Sequence, residues 1–287
     1  MKKNHLLGRM VFFSLLLVAC TSNTIFAQTS TEAQTQTPTP AQSTSEGAKW
    51  DYHGLIHGQH RWAKLSDDYK ACNNGWQSPI DIRILQTTTN TSLDSLNFHY
   101  KDTNVVIENT GHTIEIPVQY NINLGQVGGY LPIGNKYYAL RQFHYHEKSE
   151  HTVSGKHSVL EVHFVHEEVS NPKDIIVLAA LFKIGAANPF LEKYLPYFPK
   201  KKGTYISPNQ NEKINLIDLL PKNKSYYYYI GSLTTPPCWE DVQWFVFIEN
   251  LTVTEDQLKE LKRMEGMGGN HRRVHELNDR KVYKQVY

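Results

Sequence analysis

From Trp50 onward, apolar and polar residues alternate with period two in one segment after another. Val105–Ile107, Thr113–Val118, Tyr137–His146, Val159–His166 and Val242–Ile248 each read as a strand with one buried face. Ile175–Phe182 is almost continuously apolar, the pattern of a strand buried on both faces. The unbroken tyrosine run 226–229 adds β propensity. Helical periodicity is scarce. Asn188-Pro189 supplies an N-cap followed by proline at the first helical position, which predicts a short helix to about Phe198. Thr254, with Gln257 three residues on, predicts a capping box that opens a helix through Leu258, Leu261 and Met264. The expected class is mainly β (α+β), one domain over residues 49–287 with short peripheral helices.

The chain before Trp50 has a different pattern. Lys2, Lys3 and Arg9 precede an apolar run, Val11–Ala19, that is too short to span a bilayer comfortably. Residues 1–27 therefore read as an export signal. Leu17-Val18-Ala19-Cys20 is similar to a bacterial lipobox, in which Cys20 is lipidated and anchors the chain to the membrane. Ordinary cleavage after Ala27 is the alternative, leaving a free periplasmic protein, and an uncleaved anchor helix is a third. Residues 28–48, rich in Thr, Gln, Ser, Ala and Pro, have almost nothing to bury and read as a flexible tether.

Composition narrows the function classes. Of 287 residues 40% are apolar, enough for a sizeable core. The net charge is +2 with both signs interspersed, which gives no electrostatic case for a nucleic-acid partner. There are three cysteines; if Cys20 is removed or lipidated, Cys72 and Cys238 remain to form one disulfide in an oxidising compartment, or to stay as two buried thiols.

The fourteen histidines direct attention to metal and proton chemistry. In a strand, Gln142, His144 and His146 project from the same face. After the turn Ser154-Gly155-Lys156, residues Glu161, His163 and Val165 share one face of the next strand. Antiparallel pairing of the two strands lets three imidazoles converge. Three protein ligands with an open fourth position mark a catalytic zinc. Gln142 and Glu161 are suited to accept hydrogen bonds from ligand N–H groups. On spacing alone, a polar strand face without metal is an equal alternative.

Gln142-Phe143-His144-Tyr145-His146, Ser149-Glu150-His151-Thr152 and Glu161-Val162-His163-Phe164-Val165-His166 together closely resemble the signature of the alpha carbonic anhydrases. Trp50-Asp51-Tyr52, Gln77-Ser78-Pro79-Ile80-Asp81-Ile82, Asn109-Thr110-Gly111-His112 and Gly231-Ser232-Leu233-Thr234-Thr235-Pro236-Pro237 match further blocks of that family, in order, so the resemblance runs from Trp50 to Arg280.

The resemblance implies a large, twisted, mostly antiparallel sheet around a central metal cleft. It implies Zn2+ as cofactor, carbon dioxide and bicarbonate as substrates, and attack by a zinc-bound hydroxide. By the same resemblance, Thr234 and Glu150 orient the hydroxide, and Asn270 supports the ligands. Val165, Val177, Leu233, Val242 and Trp244 line the apolar wall, and Thr235 contacts bicarbonate. His112 is the proton shuttle, served by waters near Tyr52, Asn109 and Thr110. Cys72 and Cys238 sit where exported members carry a disulfide.

Two departures stand out. Glu147-Lys148 replaces the Trp-Gly of animal members, and the segment after Asn270 keeps Arg272 but loses the family's later Pro and Gln. His53, His57 and His60 read as a rim or surface group. The competing function is an inactive, carbonic-anhydrase-like binding or adhesion domain; esterase chemistry would be a side activity. The oligomeric state, a homodimer included, is left open by the sequence.

Overall fold

The computed structural model describes residues 47–104, 106–118, 120–121, 126–203, 205–206 and 213–287. The expected export signal, Cys20, most of the tether and Val105 lie outside these residues. The Tyr69 hydroxyl donates to the Ala48 carbonyl (2.9 Å), and Ala48 packs beside Trp62 and Tyr69.

The strands that position the site are β1 (Ile107–Asn109), β2 (Ile114–Pro117), β3 (Gly129–Ile133), β4 (Lys136–Glu147), β5 (Leu160–Glu168), β6 (Ile175–Ile184), β7 (Tyr226–Gly231), β8 (Val242–Phe247), β9 (Leu251–Val253) and β10 (Tyr283–Gln285). Among the described residues they belong to a thirteen-stranded sheet. Its main path runs β1-β2-β4-β5-β6-β8-β7-β10, with β3 beside β4 and β9 beside β6. Pairing is mostly antiparallel, but β6 runs parallel to β8 and β9. The strand expected at Val105–Ile107 is found as Ile107–Asn109, and the other five strands lie within two residues of expectation.

Strand parity sorts the two faces. On one face Phe143 and Tyr145 of β4, Leu160, Val162 and Phe164 of β5, Ile176, Leu178 and Phe182 of β6, and Phe245 and Phe247 of β8 form the main core. Each such side chain contributes about 1.5–3 kcal/mol when fully buried. Helices α2 (Pro189–Tyr194) and α3 (Glu255–Lys262) contribute Phe190, Leu191, Tyr194 and Leu261 to that core. Both expected caps are present: Asn188 accepts from the Leu191 N–H, and Thr254 and Gln257 form the capping box. Helix α2 stops at Tyr194, where Pro196 removes a donor and the chain continues as a 3-10 turn.

The opposite face carries Val177 and Ala179 of β6, Tyr227 and Tyr229 of β7, and Trp244 and Val246 of β8. It also carries the three histidines. A short helix α1 (Trp62–Leu65) packs Trp62 against Trp50 and Tyr52 on the N-terminal side. Cys72 and Cys238 form a disulfide, with Cα atoms 4.9 Å apart and a sequence separation of 166. In the chain-entropy account, closing a loop of that length stabilises by at most about 4–5 kcal/mol. A Cys72→Ser/Cys238→Ser protein is expected to lose up to that amount in denaturant unfolding; an unchanged midpoint would show that the bridge contributes nothing.

Candidate active site

His144 on β4 and His163 on β5 are register partners across an antiparallel pair, and His146 lies opposite Glu161. This direct pairing brings the three imidazoles together, with ring centroids 4.5–5.2 Å apart. One nitrogen of each lies within 4.8 Å of the others. His146 and His163 are buried, and His144 is partly open.

The outward nitrogen of each ring is tied down. His144 Nδ1 donates to Gln142 Oε1 (2.8 Å), as parity suggested. His163 Nε2 donates to Glu161 Oε1 (2.7 Å). His146 Nδ1 donates to the backbone carbonyl of Asn270 (2.7 Å), a contribution from a segment 124 residues away. Each bond fixes a tautomer and leaves the other nitrogen's lone pair facing its neighbours. His146 Nε2 is buried and has no hydrogen-bond partner. Burial, and then the neighbouring imidazoles, lower the pKa of His144 and His146, so both are neutral donors at pH 7. Three converging imidazoles, one with an orphaned buried lone pair, fit a zinc ion with three protein ligands.

Glu161 is the centre of the support network. Its Oε1 accepts from His163 Nε2 and His151 Nδ1, both at 2.7 Å, and its Oε2 accepts the N–H groups of Glu150 (2.7 Å) and His151 (2.9 Å). Burial alone would raise its pKa. The imidazoles of His151 and His163 outweigh that and hold the carboxyl well below the usual range. The Tyr229 hydroxyl links His151 Nε2 (2.7 Å) to Ser78 Oγ (2.8 Å), and Ser78 Oγ also accepts the Ser232 N–H. Sequence reasoning missed the His151–Tyr229–Ser78 relay, although each residue stands within a motif or run noted above. Their separations of 78 and 151 residues leave no local trace.

Glu150 is fully buried. Its Oε1 accepts the Arg272 N–H (2.7 Å), while Oε2 lies 3.5 Å from His146 Nε2 without a hydrogen-bond partner. Thr234 is buried on the loop after β7, where the Leu233 N–H donates to the Trp239 carbonyl. The altered C-terminal segment retains its supporting contacts. The Arg272 guanidinium donates to Gln77 Oε1 (2.8 Å), Ser78 O (2.8 Å) and Cys72 O (3.2 Å). Asn270 Nδ2 donates to Tyr145 O (2.8 Å) and His112 O (3.0 Å).

The five residues expected at the apolar wall fall into one cluster but divide by exposure. Val177, Val242 and Trp244 are fully buried, and Val165 and Leu233 are partly open. The Trp244 ring lies 4.9 Å from that of His163, and its Nε1 donates to Ser232 O. The first three therefore back the wall and the last two present it. Thr235 is half-buried on the same loop.

His112 is half-buried and stacks on Trp50, with centroids 3.9 Å apart and planes 11° from parallel. Burial and Lys202 lower its pKa, while Asp51 opposes them. The turn that holds it uses both neighbouring side chains. Asn109 Oδ1 accepts from Gly111 N, and Asn109 Nδ2 donates to Pro199 O. Thr110 Oγ1 accepts from the His112 and Thr113 N–H groups. Both side chains thus serve the turn itself. A Cβ at Gly266, which has φ +80°, would collide with the Gly111 carbonyl, so this close approach requires glycine. Tyr52 is buried within the field of Glu150 and Arg272. His53 lies nearby, its Nε2 2.6 Å from Gly269 O.

Fold and site define a protein with a cluster of three histidines, able to hold a metal ion, set into one face of a β-sheet. Residues 57–286 match the family model described as eukaryotic-type carbonic anhydrase. The chain is 37% identical over 232 residues to an alpha carbonic anhydrase of Arabidopsis thaliana; the match takes in 79% of this chain and 57% of that longer protein. It is 36% identical to a carbonic anhydrase of Klebsiella pneumoniae over 81% of this chain and 89% of that one. Its structure is similar to that of the alpha-carbonic anhydrase of Thermovibrio ammonificans solved with the inhibitor sulfanilamide. There the TM-score is 0.75 and the identity 39%, covering 83% of this chain and 99% of that chain. The chain belongs to the alpha-class carbonic anhydrase family.

Proposed function

We propose that the protein catalyses the reversible hydration of carbon dioxide to bicarbonate and a proton, with zinc held by His144, His146 and His163. The observation that carries this reading is the convergence of three imidazoles of fixed tautomer beside an apolar wall. Zinc held there would make a bound water acidic enough to ionise near neutral pH, a general property of carbonic anhydrases.

The remaining roles belong to the chain's own side chains. Glu150 Oε2, buried and without a hydrogen-bond partner, would be free to accept the Thr234 hydroxyl proton. That bond would leave Thr234 Oγ1 as an acceptor towards the cleft and impose one orientation on the nucleophile. Val165 and Leu233 offer apolar surface to carbon dioxide, a small molecule without a dipole. Thr235 offers a hydroxyl to bicarbonate. His112 transfers the proton to bulk solvent, a task suited to a half-buried imidazole, whose pKa burial and Lys202 lower. Tyr52 borders the water path, while the turn-bound side chains of Asn109 and Thr110 act by holding His112 in place.

Metal analysis together with a carbon dioxide hydration assay tests the function; a pure protein that is zinc-free and inactive would instead be the inactive binding module. His112→Ala is expected to slow turnover by about 10- to 100-fold and to recover on adding imidazole buffer. Turnover that does not change would remove His112 from proton transfer.

The same reading includes export. The disulfide is a bond of oxidising compartments, and the apolar run 11–19 supplies the address. Whether Cys20 carries lipid is tested by Cys20→Ala, which releases an anchored protein into the soluble fraction and leaves the distribution of a free one unchanged.

A further inference from the structure

Glu147 follows directly after the ligand His146 and stands at a departure from the family pattern. It is the last residue of β4, and its side chain is 13% exposed. Every polar group it owns is engaged with one strap, residues 269–271, or with the helix before that strap. Its Oε2 accepts the Gly269 N–H (3.0 Å) and its Oε1 pairs with Lys262 Nζ (2.6 Å) at the end of α3. Its N–H donates to Asn270 Oδ1 (2.7 Å), and its carbonyl accepts from His271 Nδ1 (3.2 Å).

The strap touches the site at two points. The Asn270 carbonyl holds His146 Nδ1, and the Arg272 N–H holds Glu150 Oε1. Asn270 has one side-chain amide for three contacts, so its carbonyl is aimed by the backbone on either side of it. The Glu147 carboxylate fixes that backbone immediately before Asn270, through the Gly269 N–H, and the Glu147 carbonyl holds the His271 ring immediately after it. Lys262 neutralises the carboxylate, so its effect on the metal centre is geometric.

We propose that Glu147 is a positioning residue for the metal centre, clamping the 269–271 strap so that the Asn270 carbonyl keeps the His146 ring aimed at the metal. This rests on the three-histidine zinc site proposed above.

The test is zinc affinity, measured by competition with a chelator such as dipicolinate, and the rate of zinc release. The proteins are the wild type, Glu147→Ala, Glu147→Gln, Lys262→Met and His146→Ala. Loss of a group that orients a ligand from outside the coordination sphere weakens metal binding by about 10- to 100-fold. Acting one contact further out, Glu147→Ala is expected at the lower end, about 10-fold weaker, with faster release. Glu147→Gln keeps an acceptor for Gly269 and is expected to recover most of the affinity. Lys262→Met leaves both clamp bonds and is expected to stay near wild type.

Competition is run well below the unfolding midpoint of the zinc-free proteins. A loss of stability alone therefore leaves the affinity unmoved. Glu147→Ala binding zinc as tightly as wild type overturns the proposal, as does Glu147→Gln failing to restore it. If the wild type takes up no zinc, or binds it equally after His146→Ala, the underlying zinc reading fails instead.

Discussion

A His146→Ala protein is expected to purify without stoichiometric zinc and to lose carbon dioxide hydration by on the order of 10^3-fold or more. Three features make this position decisive. Its ring is almost wholly buried, so water cannot replace it cheaply as a ligand. Its Nε2 is the orphaned atom of the cleft, lying against Glu150 Oε2 at 3.5 Å. Its Nδ1 is held by a backbone carbonyl, which fixes the orientation of the ring. The fold should survive, because the main core lies on the other face of β4 and β5. Metal analysis, hydration assays and circular dichroism on one preparation check this. A variant that kept one zinc per chain and its activity would remove His146 from the metal site.

The second large effect is expected at Glu161. Its carboxylate receives four hydrogen bonds, from two ring nitrogens and two backbone N–H groups. Glutamine has nearly the same shape but only one acceptor oxygen, and its amide would turn two hydrogens towards donors. Glu161→Gln is therefore expected to cost about 3–5 kcal/mol, the range for breaking one partner out of a buried charged network. It should also weaken zinc binding by about 10- to 100-fold through misorientation of His163. Urea unfolding with and without zinc separates the two effects; a stability change below about 1 kcal/mol would contradict the first.

The sign of the pH dependence follows from the same group. The folded pKa of Glu161 lies below its unfolded value, so its contribution is present above the ordinary carboxylate pKa. It is lost as the pH falls through the folded value, and acid should unfold the wild type from below about pH 4.5 downward.

The inner site was legible because parity is local. Period-two alternation placed Gln142, His144 and His146 on one face of their strand and Glu161 and His163 on one face of the next, and antiparallel pairing puts both sets on the same face of the sheet. Both expected braces proved to be hydrogen-bonded. The third brace, Asn270 O, comes from a strap with no periodicity and acts through its backbone, which sequence patterns do not report. Parity also failed to separate Val177, Val242 and Trp244 from Val165 and Leu233. Alternation says which face a residue occupies, not how deep in that face it lies. The parallel pairing of β6 with β8 was equally hidden, since the two are joined by a crossover of nearly sixty residues rather than by a turn.

The metal centre is written along the chain in the wrong order for early assembly. His144, His146 and His163 leave the ribosome more than a hundred residues before Asn270 and Arg272. Strand β10, which pairs with β7, also follows Asn270 in the chain. A growing chain therefore carries all three imidazoles more than a hundred residues before the carbonyl that braces His146 has been made, while the braces of His144 and His163 are made alongside them.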